Sequence, residues 1–155
     1  MKPLMNIKKI SALQAILLAL GITGLINGVI FSYQTDGVTG TNALDSEIFF
    51  PSSKIIGSVW TFLVACLAFS FSRVVKQNTI LAAWIFGLFL TCILYPIYTL
   101  GFSSLPNMIL GNLFTIALAS FISGCLFTSY KLESFLTFLI PVWVIFVSYL
   151  MFIIN

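Results

Sequence analysis

Five long apolar runs, each free of Asp, Glu, Lys and Arg, organise the chain: Ile10 to Phe31, Ile55 to Phe71, Thr79 to Leu100, Met108 to Thr128 and Phe135 to Ile154. A helix rising 1.5 Å per residue needs about 20 residues to cross the hydrocarbon core, and each run lies near that length. A membrane β-barrel would instead show many alternating segments of about 10 residues, whereas these runs are apolar on every face. The pattern predicts an all-α integral membrane protein, a five transmembrane helix bundle forming a single domain over residues 1–155. The second run is the shortest, and Lys54 and Arg73 just outside it can lay their aliphatic stems along the helix while their charges reach the headgroups. Pro96 sits near the end of the third run and Pro141 about two turns into the fifth, where a kink is expected. Neighbouring helices or hydroxyl side chains re-satisfy the carbonyls that proline frees.

The first loop, residues 32–54, is much the longest connection; the others are short, which predicts sequential helices lying adjacent and antiparallel. That loop is polar and glycine-bearing from Ser32 to Glu47, then turns apolar at Ile48, Phe49, Phe50 and Pro51. Two readings stand equally: a re-entrant lid, or aromatic residues resting in the membrane interface. Asp45 and Glu47, one residue apart on this loop, read as solvated acids rather than a metal site.

Composition narrows the class. Apolar residues make up 60% of the chain and charged residues 7%, against roughly 25% in ordinary soluble proteins, which excludes a soluble domain and a disordered tail. Three cysteines, Cys66, Cys92 and Cys125, cannot build a disulfide framework and form no C-x-x-C pair, so they read as small packing residues. The net charge of +3 is too small for a polyanion-binding field, and nucleic acid is not expected as a partner. It serves instead as topology signal: with the N-terminus cytoplasmic, Lys2, Lys8, Lys9, Arg73, Lys76 and Lys131 are inside and only Lys54 is outside, which puts the C-terminus outside. The first run, at 22 residues, exceeds a secretory h-region of about 7 to 15 and lacks a small-residue cleavage site, so a retained helix is expected.

Chemistry is sparse. Histidine is absent, which removes the commonest general base and metal ligand, and none of the five runs carries an ionisable carboxylate or base for proton relays or ion coupling. No enzymatic activity and no required cofactor are expected. Gln14, Asn27 and Asn112 are the most polar side chains within the runs and read as interhelical hydrogen-bonding groups. Gly24 and Gly28 form a G-x-x-x-G on the first helix, and Ser120 and Gly124 a small-x-x-x-small pair on the fourth; packing inside the bundle is favoured over dimerisation for both. Aromatic residues are abundant, with 16 Phe, 5 Tyr and 3 Trp, and Trp60, Trp84 and Trp143 all fall inside the runs. Trp143, Phe146 and Leu150 share one helical face with Tyr149 beside it, a surface suited either to core packing or to stacking a flat apolar ligand.

The layout and two motifs resemble the TspO/MBR family of translocator and tryptophan-rich sensory proteins. The family's second helix opens with P-x-x-W-x-F-x-x-x-W, and Pro51 to Trp60 (PSSKIIGSVW) keeps the proline and the last tryptophan, with Lys54 and Ile56 at the other two aromatic positions. The fifth helix carries W-x-x-F-x-x-Y-L-N-W, and Trp143 to Phe152 (WVIFVSYLMF) keeps Trp, Phe, Tyr and Leu, with Met151 and Phe152 replacing the last two. The family's third-helix motif is largely absent, its positions falling on Cys92, Tyr95, Thr99 and Leu100. The resemblance implies a five-helix bundle, often a homodimer, with a pocket under the first loop for porphyrins or other flat hydrophobic molecules such as sterols; a porphyrin or haem is then a ligand rather than a cofactor. It implies Trp60, Tyr95, Trp143 and Phe146 as pocket lining and Phe49, Phe50 and Pro51 as the lid. The alternative is a small structural or assembly subunit of a membrane complex, marked by an exposed aromatic stripe and no pocket. A tetrapyrrole-degrading enzyme is a third reading, and for it the loss of the first-loop tryptophan is a specific difficulty.

Overall fold

Helix ends are set by short polar side chains at the borders of the apolar runs. Ser11 and Gln14 close a reciprocal cap at the start of the first helix: the Ser11 N–H donates to Gln14 Oε1 at 3.0 Å and the Gln14 N–H donates to Ser11 Oγ at 3.2 Å. Gln14 is thus spent on a cap and not on the interhelical bond expected from the sequence. Asn78 Oδ1 likewise accepts the Ile80 and Leu81 N–H groups at 3.1 and 3.0 Å, capping the third helix.

The computed structural model describes residues 10–34, 53–96 and 105–154, and within them the side chains of residues 10–29, 55–95 and 108–150. The described residues form five helices: α1 (Ala12–Gln34), α2 (Ser53–Val74), α3 (Thr79–Pro96), α4 (Leu105–Leu126) and α5 (Lys131–Ile154). Four of them, α1, α2, α4 and α5, are long and apolar enough to cross a membrane; α3 is apolar but shorter over its described length, and residues 97–100 of the expected third span lie outside the described residues. The helices overrun several of the expected borders: α1 continues to Gln34, α2 runs from Ser53 through Arg73 to Val74, α4 begins at Leu105 and α5 at Lys131, because a polar or charged residue ends an apolar run without ending the backbone hydrogen-bond ladder. α5 also runs unbroken through the buried Pro141.

Short turns at residues 75–78 and 127–130 make α2/α3 and α4/α5 antiparallel neighbours, as expected from the connection lengths. α2 is the hub, packing on α1, α3 and α5, and α4 lies against α3 and α5. One end of the bundle holds these two turns, the turn end. The other, where α2 and α4 begin and α3 and α5 finish, is the loop end.

Leu67, Ile85, Leu88 and Ile140 fill an apolar core, but the outside of the bundle is apolar as well and several hydroxyls lie within it. Thr115, Thr137, Ser70 and Ser72 are buried in the bundle, while Leu17, Leu25, Ile80 and Phe114 point outward. Around a soluble protein such a surface would drive aggregation, but lipid tails accept it without cost. Most of the hydroxyls are satisfied locally: Thr23, Thr61, Thr91, Thr115, Thr137 and Ser148 each donate to the carbonyl one turn back and Ser72 donates to the Phe69 carbonyl, whereas the buried Ser70 Oγ has no hydrogen-bond partner among the described residues. Between α4 and α5, Ser123 Oγ donates to the Ser134 carbonyl at 2.9 Å and Ser134 Oγ donates to the Ser123 carbonyl at 2.8 Å, a reciprocal clasp buried on both sides.

Two expectations about small residues are overturned. A Cβ built on Gly24, Gly28 or Gly124 would meet nothing within 4 Å, so neither small-residue motif packs a helix inside this bundle. All three glycines face outward, on the side of their helices opposite the buried Ala15 and Ala19 in one case and Ala119 and Ile122 in the other. Cys66 and Cys92 are buried packing residues as expected, whereas Cys125 is exposed.

Candidate functional site

The loop end carries the most connected polar and aromatic arrangement among the described residues. Trp60, about two turns into α2, is buried, and its ring packs at a 40° tilt on Tyr95, in the last turn of α3, with centroids 4.8 Å apart. The Tyr95 hydroxyl donates to Asn112 Oδ1 on α4 at 2.8 Å, Asn112 Nδ2 donates to Ser148 Oγ on α5 at 2.9 Å, and Ser148 Oγ donates to the Val144 carbonyl at 2.7 Å. One continuous chain of contacts therefore ties four helices together at a single depth. Both ends of the Asn112 amide are used, which fixes its orientation and, through it, the Tyr95 ring.

A tyrosine ring so held is a stiff platform. Its apolar face rests on the Trp60 indole and its hydroxyl is anchored on Asn112, so the ring has little freedom to turn. Tyr95 is half-buried.

The other expected residues are arranged as a second pair. Trp143 is half-buried and packs against the core, and its ring stands 5.6 Å from that of Phe146 at a 37° tilt. Phe146 is 44% exposed and points away from the buried face of α5, which runs through Ile140, Val144 and Val147. Trp60 with Tyr95, and Trp143 with Phe146, are thus two separate ring contacts. Phe49, Phe50 and Pro51 lie outside the described residues. Trp84 is 48% exposed and meets Phe121 edge-on with centroids 5.8 Å apart, toward the turn end and away from Tyr95.

The sequence reading missed two things. Asn112 bonds between helices as expected, but the identity of its partners, Tyr95 and Ser148, 17 and 36 residues away, carries no local signal. Only their shared distance from the loop end of three antiparallel helices could have marked them. Glu133 is the second: it lies in the first turn of α5 and is buried, paired with Arg73 of α2 at the turn end. A search for charge-free runs excludes such a residue by construction. Its Oε1 contacts the Arg73 Nε as an ion pair rather than as a directed hydrogen bond, and the Arg73 guanidinium also sits 5.7 Å from the Phe69 ring centre.

Compared with known proteins, residues 14–154 match the model of the TspO/MBR family, nearly the whole chain. No curated protein and no solved structure matches it.

Proposed function

The chain belongs to the TspO/MBR family, and from that premise we propose that this integral membrane protein binds a flat hydrophobic ligand, such as a porphyrin or a sterol, at the loop end of the bundle. The observation that carries the reading is the Tyr95 ring, backed by Trp60 and anchored through Asn112 to Ser148. Binding proceeds by stacking and shape. Trp60 supports the platform from behind and Tyr95 is the stacking ring, while Trp143 with Phe146 offers a second, separate ring pair on α5. A ligand of this kind enters from the membrane phase, where it is already dissolved, so the site has only to outcompete lipid.

The experiment is a titration of purified protein with protoporphyrin, followed by quenching of tryptophan fluorescence. Trp143→Ala removes a stacking surface worth about 0.5 to 1.5 kcal/mol beyond buried area, so affinity is expected to fall several-fold. Trp84→Phe is the control and should leave affinity nearly unchanged. Equal losses in both variants would signify general destabilisation, and saturable binding that survives Trp143→Ala would place the ligand elsewhere.

The same reading has α3 completing a fifth span, with the N-terminus cytoplasmic. Its support is the distribution of basic residues: Arg73, Lys76 and Lys131 gather at the turn end, the end at which α1 begins. A reporter active only outside the cytoplasm should be active when fused after Asn155 and silent when fused at Lys76. The reverse result would require an inverted insertion or an even number of spans.

A further inference from the structure

Two cavities at the turn end meet at one residue. The first is a polar cleft of about 570 Å³ between the end of α2 and the start of α5, lined by Arg73, Lys76 and Gln77 on one side and by Lys131 and Glu133 on the other. The second is a groove of about 400 Å³ along the outer face of α4 and α5, walled by Phe127, Phe135 and Phe138 over a floor that includes Ser120 and Gly124. Lys131 lines both.

The charge in the cleft is unbalanced. Arg73–Glu133 is the ion pair among the described residues, so Lys76 and Lys131 bring positive charge that no described carboxylate offsets. The N-terminal turn of α5 opens into the same cleft and adds the positive end of its dipole. The groove has the opposite character. Its three phenylalanines are between 49% and 67% exposed, and at Gly124 an added Cβ would meet nothing, so a slot is left between aromatic walls. From Lys131 to Phe138 it extends about 10 Å along α5, most of the roughly 15 Å that one leaflet contributes to the hydrocarbon core.

We propose that cleft and groove together form a binding site for one anionic glycerophospholipid, its phosphate held by Lys76 and Lys131 and one acyl chain laid between Phe127, Phe135 and Phe138. Each half of the site selects against another occupant. A zwitterionic lipid fills the groove but leaves the positive charge of the cleft unmatched. A second copy of the chain docked on Ser120 and Gly124 covers the groove but gives no role to the polar cleft at its mouth. A soluble phosphate satisfies the cleft and ignores the groove. Basic pockets at the membrane interface between helices are the kind of site that captures lipid headgroups, and here the pocket continues into an apolar slot that runs along α5.

The test is native mass spectrometry of the full chain released from detergent with dioleoyl phosphatidylglycerol or dioleoyl phosphatidylcholine added. One molecule of phosphatidylglycerol should be retained about thirtyfold more strongly than phosphatidylcholine, the preference that two interfacial lysines supply. The double variant Lys76→Gln/Lys131→Gln should bring the two lipids to parity. Gly124→Leu, at a position with open space, should weaken retention of both lipids while the helical circular dichroism and melting temperature stay unchanged. Equal retention of the two lipids by the unmodified chain would overturn the proposal, as would a preference that survives the double lysine variant. Displacement of phosphatidylglycerol by glycerol phosphate would identify a soluble-anion site instead. Loss of a dimer in Gly124→Leu with lipid retention intact would identify a protein interface.

Discussion

Arg73→Ala is expected to destabilise the bundle by about 2 kcal/mol, between the small value of an exposed ion pair and the roughly 3 to 5 kcal/mol for breaking a fully buried one. The asymmetry of the pair sets this figure. The Glu133 side chain is only 5% exposed, whereas that of Arg73 is 59% exposed. Removing the arginine leaves a charge in a place that lipid and helices shield from water; removing the carboxylate leaves an arginine that solvent and headgroups can still reach. Glu133→Gln should therefore cost less than Arg73→Ala. The double variant Arg73→Ala/Glu133→Gln should recover part of the loss, because the stranded charge is gone. Unfolding measured in mild detergent, with the four proteins compared as a double-mutant cycle, reads the coupling directly. Additive losses would mean that the pair does not join α2 to α5.

At the other end of the bundle, Asn112→Ala is expected to cost about 1 to 4 kcal/mol, since interhelical hydrogen bonds in membranes are each worth about 0.6 to 2 kcal/mol and two are lost. Asn112 is buried at 4% exposure, so its two bonds form inside the bundle, away from competing water. Tyr95→Phe removes only the first bond and keeps the ring against Trp60, so it should cost about half as much and change porphyrin affinity less than Asn112→Ala. The comparison separates the two roles assigned to Tyr95. If affinity follows the ring, Tyr95→Phe binds nearly normally; if it follows the hydroxyl, both variants lose binding together. A melting temperature unchanged by Asn112→Ala would remove the network from the account of stability.

The architecture was legible in the sequence because lipid imposes so strict a requirement on it. A backbone in hydrocarbon must satisfy its own hydrogen bonds, so a long apolar run has few options besides a helix, and length alone marks α1, α2, α4 and α5. The borders were less legible. Arg73 and Glu133 lie within α2 and α5, since a charge at a helix end needs a partner or a path to the headgroups, not an end to the helix. Within the helices, apolar residues dominate every face, and the sequence offers little sign of which face is buried. That is why Gly24, Gly28 and Gly124 read as packing positions when their neighbours leave them open, and why Cys125 was grouped with two buried cysteines.

What the sequence determined by itself was the helical membrane class and, through the Trp60 and Trp143 motifs, the family that residues 14–154 match. Only the tertiary structure decided which polar side chains meet. Asn112 joins Tyr95 to Ser148, Ser123 joins Ser134, and Glu133 joins Arg73. The physical reason is that water-driven burial, which sorts residues by type along one helix, does not operate between helices in lipid; shape and a few hydrogen bonds set the contacts there, and both depend on helices that lie far apart in the chain.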